Sequence, residues 1–265
     1  MQVTMNVVQL QDKERIEACL RRNPELYVYA IGDLDDFFWP YTTWYGREEA
    51  GELRDVVLVY AGKTLPTVIA QTEEPEGMRA LLAEIAPLLP ERFHAHLSPG
   101  LEEVFGNNCT IESHGVFQRM ALRDSAPVRR IDGVQAVRLT EVDLPQMLSF
   151  YAQSYPGNWF DERMVATGRY FGLREDEQLI CIAGVHVYSP RYRVAALGNI
   201  VTHPAHRNQG HATRATARLC QILLDEVDHV GLNVKVDNET AVACYRKLGF
   251  EVVAPYGEFN IARHE

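Results

Sequence analysis

The chain has 265 residues, of which 46% are hydrophobic and 23% charged, with a formal net charge of −10 at pH 7. That length allows one large domain or two ordinary ones, and the ordinary composition excludes a disordered or fibrous chain. An acidic surface repels nucleic-acid phosphates and anionic lipid, which excludes both as main partners.

The first residues, "MQVTMNVVQLQDKER", lack a basic start followed by an apolar core, so no secretory signal is expected. "NVVQL" reads as a strand and "DKERIEACLRR" as a helix. Strands are expected around "TTWYG", "DVVLVYA" and "PTVIAQ", then a helix at "EGMRALLAEIAPLL" and a strand at "GVFQRMAL". The aromatic cluster "DDFFWPYTTWY" is expected to fill the core of this half rather than wall a pocket.

A polar seam follows, "RDSAPVRRIDG" from Arg123 to Gly133, with Pro127 inside it. It places the domain boundary near residue 128, giving segments 1–128 and 129–265.

In the second half "VQAVRL" reads as a strand. "EVDLPQMLSFYAQSY" reads as a helix striped by Leu144, Leu148 and Tyr151, and a shorter helical piece covers Asp161 to Thr167. Turn signals at "REDE" and "SPR" divide the stretch from Tyr170 to Thr202 into three antiparallel strands. Ala212, Ala215, Leu219, Ile222, Leu223 and Val227 recur at helical spacing. "VGLNVKV" alternates as a strand does. "NETAVACYRKLGF" is a short helix, with Asn238 as its cap and Gly249 as its stop, and a final strand pair is expected to close the chain.

One loop carries chemistry. Between the strand "ALGNIVT" and the striped helix lies Arg207-Asn208-Gln209-Gly210-His211-Ala212. A helix N-terminus offers free backbone N–H groups and the positive end of its dipole, glycine lets backbone approach closely, and Arg207 adds a cation. That combination suits a pyrophosphate. No Gly-Lys-Ser/Thr follows, so it is not a P-loop, and the three-glycine dinucleotide pattern is missing.

"R-x-x-G-x-A" after an apolar strand resembles the acyl-CoA pyrophosphate loop of the GNAT N-acetyltransferase superfamily. Downstream, Asn238, Ala241, Tyr245, Gly249 and Phe250 are similar to that family's Asn-x-x-Ala-x-x-x-Tyr-x-x-x-Gly-Phe ending. The resemblance is sharp from Ile200 to Phe250. It implies an α/β fold with a mixed, mostly antiparallel central sheet flanked by helices. The repeated element order extends this to two tandem GNAT-like halves, the first degenerate, and the two-domain length is similar to the glycine N-acyltransferase-like branch.

The resemblance implies an acyltransferase using acetyl-CoA as acyl donor and a small-molecule or peptide amine as acceptor. It places the diphosphate at Arg207, Asn208, Gln209, Gly210, His211, Ala212 and Thr213, and the pantetheine arm along Ile200 and Val201. Tyr245 is the implied general acid, because a phenol with a pKa near ~10 holds a proton for the departing thiolate. Asn238 either contacts the arm or caps its helix. The family's strand carboxylate is absent, since the comparable positions are Gly198 and Asn199. His186, Asp161, Glu162 and a water chain remain open as the base, and an amine arriving neutral needs none.

His203, His206 and His211 suggest a metal set, but proline at 204 argues against a helix there and the sequence brings no carboxylate or thiol near them, so no metal is expected. The five scattered cysteines, without a C-x-x-C pair, predict a reduced cytoplasmic chain. In "SFYAQSYPGNWFDERM", Phe150, Tyr151, Tyr155, Trp159 and Phe160 are expected to divide between core packing and the acceptor site. The alternative to an enzyme is a non-catalytic acyl-CoA-binding regulatory module, and a further one makes the first half the seat of a protein substrate's terminus. The sequence leaves monomer and homodimer both open.

Overall fold

The computed structural model describes residues 6–62 and 65–264. The reading of the chain's first residues as no secretory signal therefore falls, for residues 1–5, outside the described residues. The chain divides into two compact units, Met1–Arg119 with Val253–Glu265, and Met120–Val252. Pro127 of the expected seam lies within the second unit, at the start of a short helix. The chain crosses between units at residues 119/120 and returns at 252/253.

The first unit runs β1 (Asn6–Leu10), α1 (Lys13–Leu20), α2 (Val28–Gly32), β2 (Thr42–Glu49), β3 (Glu52–Tyr60), β4 (Thr67–Ala70), α3 (Pro75–Ile85), β5 (Arg92–Leu97) and most of β6 (Cys109–Leu122). The second holds α4 (Ala126–Arg130), β7 (Val137–Arg138), α5 (Leu144–Ser154), β8 (Phe171–Glu175), β9 (Gln178–Ser189), β10 (Val194–Thr202), α6 (His211–Leu223), β11 (His229–Lys235) and α7 (Glu239–Lys247). β12 (Phe250–Arg263) starts there and ends in the first unit.

The units repeat one plan. In the first, the strands lie in the order β1-β2-β3-β4-β5, antiparallel except for the parallel pair β4 and β5. In the second, β7-β8-β9-β10-β11 has the same order, with β10 and β11 as its parallel pair. Each parallel pair is joined by a crossover helix, α3 or α6, as parallel pairing requires. β12 adds next to β5 in the first unit, antiparallel to it.

The helices form where apolar residues recur on one stripe. In α3, Met78, Leu81, Leu82 and Ile85 are fully buried against Val57, Val68, Ala95 and Leu97 of the sheet. Each such side chain contributes about 1.5–3 kcal/mol by leaving water. In α6, Ala215, Leu219 and Leu223 supply the stripe, and Val227 is buried just past the helix end.

Several expectations are corrected. α5 buries Met147, Phe150 and Tyr151, whereas Leu148 is 42% exposed. Proline at 145 falls in the first turn, so the helix starts at Leu144 and its inward face is one step round from the expected one. "VQAVRL" yields only the two-residue β7. The closing strand pair is one long strand, β12. The segment 92–97, not singled out in sequence, is β5, with Phe93, Ala95 and Leu97 facing the core and His94 and His96 on the other face. No helix among the described residues is long and apolar enough to cross a membrane.

Candidate active site

β10 and β11 pair in parallel only from Val194–Leu197 against His229–Leu232. β10 then continues to Thr202 and β11 to Lys235 with no further pairing between them. A wedge therefore opens past Leu197.

Two bulges shape the wall of that wedge. Between Ala196 and Leu197 the pairing to β9 skips His186, and between Gly198 and Val201 it gains a residue on β10. The second bulge restores the register that the first one breaks. Ala196 faces Val187 and Val201 faces Ile182, while Leu197 and Gly198 between them are displaced onto Val185 and Gly184. Bulges re-aim side chains, and this pair presents the His186 imidazole over Gly198. A Cβ added at Gly198 would run into that ring, so glycine here is a requirement of close approach.

Asn199, in the second bulge, has φ +54° and is buried. Its carbonyl accepts a 2.9 Å bond from the Tyr151 hydroxyl, and its side-chain amide donates to Tyr170 Oη at 3.1 Å, which in turn donates to the Val185 carbonyl at 2.8 Å. Burial pushes both phenols above their ordinary pKa, Tyr151 well above it, so both stay protonated donors. Tyr151→Phe leaves the Asn199 carbonyl without this donor. It should cost about 1–3 kcal/mol, the typical penalty for an orphaned buried polar group, read as a lowered midpoint of denaturant unfolding.

The loop after β10 places Arg207 to Gly210 on the surface and then enters α6. Asn208 at φ +63° and Gly210 at φ +76° take left-handed backbone, and Gly210 is the N-cap of α6 with no side chain capping it. The N–H groups of His211, Ala212 and Thr213 thus head the helix as unspent donors. Nothing stands within 4 Å of the place a Gly210 Cβ would occupy. Arg207 is steadied by a 3.3 Å bond from Nε to the Thr202 carbonyl. His211 Nδ1 accepts from Arg214 Nη2 at 2.9 Å and Nε2 lies 3.3 Å from Gln209 Oε1, which assigns the neutral Nε2–H tautomer. Burial, Arg214 and His206 all hold its pKa below the ordinary imidazole value.

Asn238 caps α7, its Oδ1 accepting from Ala241 N at 3.2 Å. Tyr245 is buried on α7, its ring 6.0 Å from that of Phe250. Thr213 Oγ1 lies 3.3 Å from Cys244 Sγ, so the head of α6 touches α7 one residue from Tyr245. Ile200 and Val201 are half-buried on β10, past the point where β11 leaves it.

Of the other candidate bases, Asp161 is engaged with Arg163 at 2.6 Å and caps the turn that follows it, while Glu162 is exposed. Phe150, Tyr151 and Phe160 are core residues, whereas Tyr155 and Trp159 are 49% and 44% exposed. His203, His206 and His211 stand in a row with ring centroids 5.6 and 6.4 Å apart. A carboxylate is nearer than the sequence suggests, Glu175 Oε2 at 3.5 Å from His206 Nδ1. Sequence reasoning missed the Tyr151–Asn199–Tyr170 clamp. Its one signal is asparagine, a residue that tolerates left-handed backbone, in mid-strand.

The same position in the first unit looks different. The approach to α3 carries Glu73 and Glu74, and its first turn carries Glu76 after Pro75, so negative charge there repels a diphosphate. β4 pairs with β5 along its whole length, so no wedge opens.

The model of the acetyltransferase (GNAT) family matches residues 136–250. That segment is similar to this family. The fold likeness extends further along the chain. A Drosophila protein of known structure is 13% identical with a TM-score of 0.71, covering 97% of this chain and 98% of its own. A GCN5-related N-acetyltransferase from Sphaerobacter thermophilus is 11% identical with a TM-score of 0.60, covering 98% and 96%. A tandem GNAT protein from the clavulanic acid biosynthesis pathway is 16% identical with a TM-score of 0.57, covering 98% of both chains. No match is found among curated proteins. The chain has the mixed α/β GNAT fold, mostly antiparallel and flanked by helices, in two halves. The matched segment begins one residue before β7 and ends at the first residue of β12, so it contains the wedge, the loop and Tyr245.

Proposed function

We propose that the chain is an N-acyltransferase that moves an acetyl or other short acyl group from acyl-CoA to a primary amine, by direct transfer in a ternary complex. The observation that carries this is the juxtaposition of an uncapped helix head after Arg207-x-x-Gly210 with strands that part at Leu197. The first feature suits a diphosphate. The second leaves the edge of β10 at Ile200 and Val201 open to pair with an extended amide chain such as pantetheine.

In this reading the amides at 208–213 and Arg207 hold the diphosphate, and a backbone N–H near Val201 steadies the developing oxyanion. His186, over Gly198 at the mouth of the wedge, takes the proton that the attacking amine loses. Tyr245 gives its proton to sulfur as the C–S bond breaks, and solvent restores both groups. Holding amine and thioester in line supplies much of the rate. Tyr155 and Trp159 offer exposed aromatic surface to the acceptor. The likeness to the glycine N-acyltransferase-like branch rests on two-unit length and brings no substrate with it. A cytoplasmic location fits a chain of scattered free thiols.

The missing carboxylate at Gly198 and Asn199 favours a second reading, a regulatory module that binds acyl-CoA without turnover. Thiol release from acetyl-CoA across a panel of amines, run beside calorimetric titration of acetyl-CoA, separates the two. Binding with amine-dependent release supports the enzyme, and binding with none supports the module. For the base, the pH profile of kcat/KM is decisive. Wild type should lose activity on the acid side where an imidazole titrates, and His186→Gln should lose that limb and fall about 10²-fold, the usual contribution of a general base. An unchanged limb removes His186 from the mechanism.

A further inference from the structure

We propose that His94, His96 and Glu258 in the first unit form a binding site for a divalent transition metal of the zinc type. Nothing in the acyl-transfer reading calls for it, and it stands on separate observations.

The two histidines are two residues apart on β5, so both side chains leave the same face, opposite the core that Phe93, Ala95 and Leu97 fill. β12 lies alongside in antiparallel register, with Glu258 directly across from His96 and Asn260 across from His94. The three donor groups are thus fixed by strand pairing rather than by a loop, which is the rigid support that a metal site needs.

The spacing is that of ligands around an ion. His94 Nε2 is 3.7 Å from one Glu258 oxygen and His96 Nε2 is 3.5 Å from the other, and the donor atoms of all three residues fall within 4.8 Å of one another. Hydrogen-bonded N–H···O pairs close to about 2.7–3.2 Å. Ligands about 2.1 Å from a tetrahedral ion stand about 3.4 Å apart, and these separations approach that edge. Two imidazoles and a carboxylate are also the donor set that zinc accepts with a position left open.

The supporting groups are oriented for the role. His94 Nδ1 lies 3.0 Å from Asn260 Oδ1, and the Asn260 amide donates to Glu112 Oε2 at 3.3 Å. That chain turns the Asn260 oxygen toward the ring, places the imidazole proton on Nδ1 and leaves the Nε2 lone pair facing the cluster. Metal-bound histidines are held in this way. Tyr256 donates to Glu258 Oε1 at 2.8 Å and is itself fully buried. The His114 ring, 5.7 Å from that of His94 between centroids, brings a further imidazole to the rim. All three ligands are only 16–22% exposed at the side chain, so an ion there is shielded from most of the solvent.

The test uses the full chain, stripped with a chelator, desalted and titrated with Zn²⁺ against a chromophoric competitor. One ion per chain with sub-micromolar affinity is expected. His94→Ala and Glu258→Gln should each weaken it at least about 100-fold, and Asn260→Ala about 10–100-fold, as loss of a supporting group does. His206→Ala, in the other histidine group, should leave it unchanged. X-ray absorption of the zinc-loaded wild type should show nitrogen and oxygen ligands with two imidazoles. Absence of stoichiometric binding in wild type overturns the site without recourse to any variant. So does binding retained in His94→Ala and Glu258→Gln, binding lost in His206→Ala, or sulfur in the coordination shell. Matching circular dichroism of the metal-free variants shows that weakened binding is not unfolding.

Discussion

Tyr245→Phe is expected to lower kcat for amine acylation by about 10²-fold or more, the range that a general acid contributes, while the dissociation constant for CoA stays within about twofold. Phenols in general keep their proton at neutral pH, which is what protonating a leaving thiolate requires. Phenylalanine keeps the ring that packs against Phe250, 6.0 Å away, and so keeps the fold around α7. The change removes one oxygen and leaves the Thr213–Cys244 contact beside it in place. Stopped-flow thiol release against calorimetric CoA binding measures the two quantities separately. Equal loss in both, or no loss in either, contradicts the acid role and returns Tyr245 to the core.

Gly210→Val should act on the other side of the reaction. The residue sits at φ +76° and a Cβ added there has no atom within 4 Å beyond its chain neighbours. Left-handed backbone costs a β-branched residue about 1–2 kcal/mol, and at roughly 2–4 °C per kcal/mol for a chain of this size the melting temperature should drop only a few degrees. The larger effect is expected on the ligand, because in the proposed site the new methyl groups would stand where phosphate oxygens reach the amides of the first turn. The KM for acyl-CoA should rise about 10²-fold, with kcat at saturation largely kept. Arg207→Ala should be milder, about 10-fold in the same direction, in line with the 1.5–3 kcal/mol of a hydrogen bond to a charged group. An unaltered KM in Gly210→Val would place the diphosphate elsewhere.

What could be read in the sequence was what depends on local pattern. The apolar stripe of α6, the alternation of β11, the Asn238 cap and the Gly249 stop at φ +92° each follow from neighbours within a turn or two. Three things were hidden because they are decided by residues distant in sequence. The clamp on Asn199 joins Tyr151, Tyr170 and Val185 through hydrogen bonds that no spacing rule announces. The placing of His186 over Gly198 comes from two bulges that cancel, and a strand-period reading cannot see register. The His94–His96–Glu258 group needs β12 to pair with β5, which brings together residues more than 160 positions apart. A final strand pair in place of the single long β12 does not bring these residues together.

The central claim is that main-chain amides at the head of α6 hold the diphosphate of an acyl-CoA. Amide chemical shifts of isotopically labelled full-length protein, followed through a titration with CoA, test it residue by residue. The account predicts that the largest saturable shifts, with slowed hydrogen exchange, fall on 208–213. Saturable binding that leaves those amides unmoved, with the shifts gathered on another element, would contradict it.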